Sequence, residues 1–173
     1  MIKRRSFLKT ATTLAIGGQA LLRTGDLRAA IDEANRSVTG WPKMEYRTLG
    51  RTGFNGSRLV FGCGAALADG KANDLLEPAF AAGINVFDVG FRSYYRDAEK
   101  NLAPFLKRHR DEIFVISKAM VRVELDADKE ADLATARQAA ANWTKSVDES
   151  LAEMQQEHVD AYYMMATNNV SLV

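Results

Sequence analysis

The sequence predicts an α/β domain, a parallel sheet with helices packed outside it. Two observations predict it. Apolar runs of strand length alternate with stretches whose apolar residues recur every three or four positions, in the order hairpin, then β-α-β-α-β-α-β. Parallel strands require such crossovers, because their ends lie at opposite edges of the sheet. The four main strand runs are also apolar nearly throughout, as expected of strands covered on both faces.

The N-terminus stands apart from this pattern. "MIKRRSFLKTATTLAIGGQALL" opens with Lys3, Arg4 and Arg5, followed by a mildly apolar stretch from Thr10 to Leu22. It is too short and too weak for a membrane span of roughly 20 apolar residues. It matches a secretory signal with basic and apolar regions. "RRSFLK" resembles the bacterial twin-arginine export motif. That resemblance implies the twin-arginine export machinery as a partner, a cargo folded before it crosses, and a periplasmic or extracellular location. Small residues for cleavage occur at Gly18-Gln19-Ala20 and again in "LRAAIDEA". Residues 1–30 are read as the signal peptide. Residues 31–43, with Gly40, Trp41 and Pro42, are read as a linker. Residues 44–173 remain for the domain.

Within the domain, "MEYRTLGRTGFNGSRLVFGCG" has runs at 45–49 and 57–62 around a Gly-rich turn, Gly50 to Gly56. They predict a β-hairpin leading into a buried strand. Asn73 is placed to cap a helix with Leu75, Leu76, Ala79 and Phe80 at helical spacing, and Gly83 to end it. "INVFDV" (84–89) is the second strand. Leu102, Phe105 and Leu106 mark the next helix, which Pro104 is expected to delay or kink. "EIFVISK" (112–118) is the third strand, and 119–132 a polar loop. Ala134 to Glu157 is a long helix with Trp143, Val147, Leu151 and Met154 down one side. "VDAYYMM" (159–165) is the fourth strand. A flavodoxin-like sheet of five strands would suit the length, but no phosphate loop follows the first strand.

Composition narrows the function. The 173 residues suggest one domain. With 47% apolar and 26% charged residues, the chain should fold rather than remain a disordered tail. The net charge is +1 with both signs interleaved, which gives no footprint for nucleic acid. Cys63 is the one cysteine, so no intrachain disulfide forms. Two histidines far from it in sequence do not make a zinc site, and no metal is expected. Neither GxGxxG nor a P-loop occurs.

Three segments, in order, resemble one family. The opening segment resembles "YRxLGxTGLxVSxLGLG". "AGINVFDVGFRSYYRDAEKNL" resembles "AGINFFDTAxxYGxSExxLG". "DEIFVISK" followed by "SVDESLAEMQQEHVDAYYM" resembles "xxVFIATK" and "SLxRLxxDYIDLYxxH". The stretch from 44 to about 166 is thereby identified as similar to the aldo-keto reductases. The resemblance implies the first half of a (β/α)8 TIM barrel with a hairpin closing its bottom, and an active site at the C-terminal ends of the strands. It further implies an NADP(H)-dependent oxidoreductase acting on small carbonyl or alcohol substrates. Asp, Tyr, Lys and His from successive strand ends would do the chemistry. The family's main pyrophosphate and adenosine contacts come from later strands, so the chain is expected to be an N-terminal fragment, truncated after the fourth strand.

The chemistry assigns roles to positions. Hydride attack on a carbonyl carbon leaves negative charge on oxygen, which needs a proton donor and hydrogen-bond donors around it. A free tyrosine is a poor acid at neutral pH, but a nearby ammonium favours its phenolate and a carboxylate keeps that ammonium oriented. The resemblance places the carboxylate at Asp88 and the ammonium at Lys118. For the phenol, counting back from Glu99 selects Tyr95, and counting forward with one insertion selects Tyr94. The turn formed by Gly62, Cys63, Gly64 and Ala65 would lie beside the nicotinamide, with Gly64, Ala65 and Asp88 as cofactor contacts. Small residues there let the backbone approach closely. Cys63 is expected to be a buried small residue. The fourth member departs from the pattern: Met165 stands where the family motif has histidine. A thioether cannot donate a hydrogen bond, and losing one such donor costs about 10²–10³ in turnover. His109 and His158 precede their strands, at the wrong end, and are read as surface residues. A barrel that binds a cofactor or partner without turnover is therefore the alternative.

Overall fold

A computed structural model describes residues 42–126, 128–165 and 169–172. The expected signal peptide, and all but the last two residues of the expected linker, lie outside the described residues. The chain divides into two units, Met1–Lys43 and Met44–Val173, and the elements below belong to the second.

The hairpin forms, with shifted arms. Strand β1 (Tyr46–Thr48) pairs antiparallel with β2 (Asn55–Ser57), Tyr46 opposite Ser57 and Thr48 opposite Asn55. The second arm was expected at 57–62. A 3-10 turn over Gly50–Thr52, followed by Gly53 at φ 72°, reverses the chain early, so pairing resumes at Asn55. The end of the 57–62 run becomes a separate strand, β3 (Phe61–Gly62). Asn85 fastens the hairpin to the sheet: its Oδ1 accepts from the Ser57 amide at 2.7 Å and its Nδ2 donates to the Asn55 carbonyl at 3.1 Å.

Strand β3 joins β4 (Val86–Asp88), β5 (Phe114–Met120) and β6 (Ala161–Met165) in a parallel sheet of order β3-β4-β5-β6. Each crossover adds its strand to the same edge. A (β/α) barrel starts in this way, whereas a flavodoxin-like sheet exchanges its first two strands.

Period-two alternation gives this sheet two different faces. On the outer face Phe87 and Val115 pack under Leu102, Phe105, Leu106 and Met154 from the helices. The Phe87 and Phe105 rings lie 4.9 Å apart. Truncating a fully buried phenylalanine such as Phe87 costs about 3–5 kcal/mol. On the inner face Val86, Phe114 and Ile116 form a second cluster, against which Leu49 and Phe54 of the hairpin and Ala161 pack. The hairpin thus covers the inner face where the strands begin.

Among the described residues five helices complete the layer. Helix α1 (Cys63–Leu67) starts directly after β3, where the sequence suggested the end of a strand; Gly62 is still extended and the next residue is helical. Asn73 was expected to cap a helix, but it opens a 3-10 turn, Asn73–Leu75, with no side-chain cap bond. Helix α2 (Leu76–Ala81) follows, and Gly83 at φ 94° ends the excursion. Helix α3 (Arg92–Tyr95) is a single turn. Helix α4 (Ala98–His109) passes unbroken through Pro104, which is exposed. Helix α5 (Leu133–Met154) is capped by Asp132, whose Oδ1 accepts from the Thr135 amide at 2.7 Å. Its fully buried line is Ala139, Ser146, Ser150 and Met154, beside the Trp143–Val147–Leu151 stripe, which is half-buried. Serines at 146 and 150 let α5 approach Tyr162, whose hydroxyl meets Ser150 Oγ at 2.9 Å and donates to the Ser146 carbonyl at 3.0 Å. Among the described residues no helix is long and apolar enough to cross a membrane.

Candidate active site

The alternation of β5 sends Ser117 to the helices and Lys118 to the inner face, two residues beyond Ile116. Lys118 Nζ donates to Asp88 Oδ1 at 2.5 Å and to the Val89 carbonyl at 2.6 Å. Asp88 lies in register with Ile116, so the ion pair runs diagonally across two parallel strands at the end where they leave the sheet. The lysine side chain is 13% exposed and the aspartate 35%. An ammonium held by two fixed acceptors has little rotational freedom left, which is the state a positioning cation needs.

The phenol beside this pair is Tyr95. Beyond β4 the chain runs through Val89, Gly90 and Phe91 into α3, and the last residue of that turn folds back over the strand end. A Cβ built on Gly64 would lie 2.5 Å from Tyr95 Cε1. One on Gly90 would lie 2.6 Å from Tyr95 Cδ2 and 3.1 Å from Lys118 Cγ. The ring is therefore wedged between two bare Cα atoms, with Lys118 Nζ 5.6 Å from its centroid. Tyr94 is 63% exposed and touches Tyr95 edge-on at 4.8 Å. Consecutive residues on a helix differ by about 100° in direction, so a single turn presents one of the two tyrosines to the strand end and the other to solvent. Of the candidate catalytic residues, the structure gathers Asp88, Lys118 and Tyr95 and leaves Tyr94 outside. Arg96 follows at φ 52° and pairs with Asp69 at 2.7 Å. A non-glycine residue held there costs on the order of 1–3 kcal/mol, strain placed one residue from the phenol.

Gly64 is buried under the Tyr95 ring, so the close approach that a glycine permits at this position is made by a phenol. Ala65 is exposed at the same rim. Cys63 is fully buried. Its thiol is pushed far above its ordinary range by desolvation first and by the Asp88 charge second, which leaves it protonated and unreactive. Met165 is the last residue of β6, opposite Met120. His158 is exposed, but His109 is not a surface residue: its ring, at the end of α4, is only 17% exposed, between Phe80 and Phe105 and against Glu77. Among the described residues no three His, Cys, Asp or Glu side chains gather as metal ligands.

The sequence reading missed the support behind Lys118. Glu99, in α4, is 2% exposed, and its Oε1 accepts from Ser117 Oγ at 2.7 Å. Burial raises the Glu99 carboxyl above its ordinary range, opposed by hydrogen bonds from Ser117 and Ser150. Tyr162 joins through Ser150, and its phenol is pushed up to about 12, chiefly by burial. A signal existed. Glu99 stands three and seven residues before Leu102 and Leu106, on the apolar stripe of α4, where a carboxyl needs a partner.

The family model described as "Aldo/keto reductase family" matches residues 49–169. No curated protein matches the chain. Solved structures do. The holo form of the aldo-keto reductase AKR11C1 from Bacillus halodurans is 25% identical with a TM-score of 0.50, over 69% of this chain and 39% of that one. The thermostable aldo-keto reductase Tm1743, solved with the inhibitor epalrestat, is 23% identical with a TM-score of 0.51, over 70% of this chain and 42% of that one. The chain thus spans about two fifths of the length of these structures. The strand order fits the first part of a (β/α) barrel, and the family match extends from the hairpin past the end of β6: the chain belongs to the aldo/keto reductase family.

Proposed function

We propose that the protein is a nicotinamide-dependent oxidoreductase that interconverts small carbonyl compounds and alcohols with NADP(H). The observation that carries this reading is the junction of Asp88, Lys118 and Tyr95 at one rim of the parallel sheet, assembled from three separate segments. The family membership supports the same chemistry.

The residues present suit one end of the cofactor. Ala65 is exposed and the Asp88 carboxylate is one third exposed on the same rim, which offers a small apolar contact and an acceptor for a ribose hydroxyl. Gly64 would contribute backbone there rather than empty space, since Tyr95 covers it. When bound, the nicotinamide supplies or accepts the hydride. Tyr95 then gives its phenolic proton to the carbonyl oxygen, or takes it back in the alcohol direction. Lys118 stabilises the phenolate left behind, because an ammonium held close to a developing anion is not screened as it would be in water. Asp88 and the Val89 carbonyl hold that ammonium in place. A second reading, a barrel that binds the cofactor without turnover, is favoured by Met165, which has no hydrogen-bond donor.

The full-length protein tests both. NADPH fluorescence titration should show saturable binding, and NADPH oxidation should follow on adding an activated aldehyde such as 4-nitrobenzaldehyde. Y95F should lower turnover by about 10²-fold or more, in the range expected for an essential proton donor, while Y94F stays within a few fold. Binding without oxidation would select the second reading. Equal effects of Y94F and Y95F would refute the placement of the phenol.

We further propose export through the twin-arginine route, on the N-terminal "RRSFLK" and the apolar stretch behind it.

A further inference from the structure

Met165 leaves the reacting oxygen short of one donor, and the sheet shows what stands nearby. Tyr162 points to the helices, since its hydroxyl meets Ser150 and the Ser146 carbonyl on α5. Ala161 packs in the inner-face cluster. Alternation therefore puts Tyr163 on the inner face. Its register partner across the parallel pair is Lys118. Lys118 reaches away from Tyr163, towards β4, where its ammonium is held by Asp88 and Val89. Tyr95 flanks the lysine on that side, and Tyr163, 52% exposed, is its neighbour in register on the other. Among the inner-face positions of β4, β5 and β6, Tyr163 carries the only hydroxyl. A strand side chain stands off the sheet and leans along the strand direction, so Tyr163 presents its phenol to the inner side at the level of Lys118, two residues short of Met165 at the strand end.

From this placement we infer that Tyr163 is a catalytic residue. Its phenol donates a hydrogen bond to the substrate oxygen, the service for which Met165 has no group. The inference rests on the oxidoreductase reading above. The step balances without a second proton: in reduction the carbonyl carbon gains hydride from the reduced nicotinamide, the oxygen gains the proton of Tyr95, and Tyr163 keeps its own. In the reverse direction it holds the alkoxide as the hydride leaves. The aromatic face beside the hydroxyl also favours carbonyl compounds with a flat or apolar substituent.

The experiment compares parent, Y163F, Y95F and Y163F/M165H proteins at full length, with NADPH and 4-nitrobenzaldehyde. Y163F removes one oxygen from a half-exposed side chain and should fold, which far-ultraviolet circular dichroism checks. It is expected to lower kcat by about 10²-fold, the range for one lost oxyanion donor, with NADPH affinity unchanged by fluorescence. Acetate, whose anionic oxygen would accept the same hydrogen bond, should bind the NADPH complex of Y163F about tenfold more weakly. Adding M165H to Y163F should recover at least tenfold in kcat, because an imidazole donor then reaches the oxygen. A Y163F protein within threefold of the parent, or one that loses NADPH affinity along with turnover, overturns the inference. A parent that turns over, and is silenced by Y95F but not by Y163F, sinks this inference alone. A parent that neither binds NADPH nor reduces the aldehyde overturns the oxidoreductase reading as well.

Discussion

Tyr95 is useful to a proton transfer only while its ring stays where two missing Cβ atoms allow it to be. Gly64 and Gly90 are not needed at these places for positive φ, as neither has it. They are needed for space. An alanine at 64 would place its Cβ 2.5 Å from the ring, closer than carbon atoms approach without one of them moving. The ring can swing out to solvent more readily than α1 can retreat, because α1 is anchored by the buried Cys63 and Leu67. Gly64→Ala should therefore disconnect the phenol from Lys118 while leaving most of the fold intact. We expect turnover to fall at least about tenfold, with an overpacking cost of about 1–3 kcal/mol in urea unfolding. Unchanged kinetics in a folded Gly64→Ala protein would show that Tyr95 does not act from this seat. The candidate places of Asp88 and Lys118 were legible through the family resemblance, whose motifs set one residue for each. Choosing between Tyr94 and Tyr95 was not, since adjacent letters carry no direction until a helical turn assigns one.

Strand β5 explains how one segment can serve both the chemistry and the scaffold. Lys118 faces the inner side and Ser117 the helices, so the strand is gripped from behind at the residue preceding the ammonium. The grip is the Ser117–Glu99 bond, extended by Ser150 and Tyr162 to β6 and α5. Glu99 has a pH signature that follows from its burial. Its carboxyl is raised in the folded state, so the folded protein keeps a proton that the unfolded chain releases at the ordinary carboxylate value. Stability must then fall as pH rises from that ordinary value to the raised one, and stay lower above it. Glu99→Gln keeps an acceptor for Ser117 and has no proton to lose. Its stability relative to the parent should rise across this window, measured by urea unfolding in steps from about pH 4 to about pH 8. Parallel stability curves for the two proteins would mean that Glu99 titrates as an ordinary surface carboxyl. The same strand shows where reading by period fails. Apolarity marks a run but not its ends, so 112–118 is displaced to Phe114–Met120. The run 57–62 straddles two strands because Gly53 turns the hairpin sooner than its apolar letters suggest. Pro104 looked like an obstacle by composition, yet α4 accommodates it on its exposed side.

Taken together, the candidate site exists only in the folded chain. Asp88, Tyr95 and Lys118 come from β4, α3 and β5, and their seat depends on Gly64 in α1. A chain threaded unfolded across a membrane would have to rebuild this arrangement, and find a nicotinamide cofactor, on the far side. Passage in the folded state avoids both, and the N-terminal "RRSFLK" fits a route that carries folded cargo. The paired arginines, Arg4 and Arg5, are the feature that separates this route from one that threads unfolded chains, because both kinds of signal share a basic start and an apolar stretch. Replacing them by lysine keeps the charge and removes the guanidinium groups, whose planar fork lysine cannot imitate. The R4K/R5K double variant should therefore accumulate inside the cytoplasm, folded and able to bind NADPH, while the parent is recovered outside it after cell fractionation and immunoblotting. If the two proteins distribute alike between the fractions, the arginine pair is not being read and the export proposal fails, whatever the reductase chemistry proves to be.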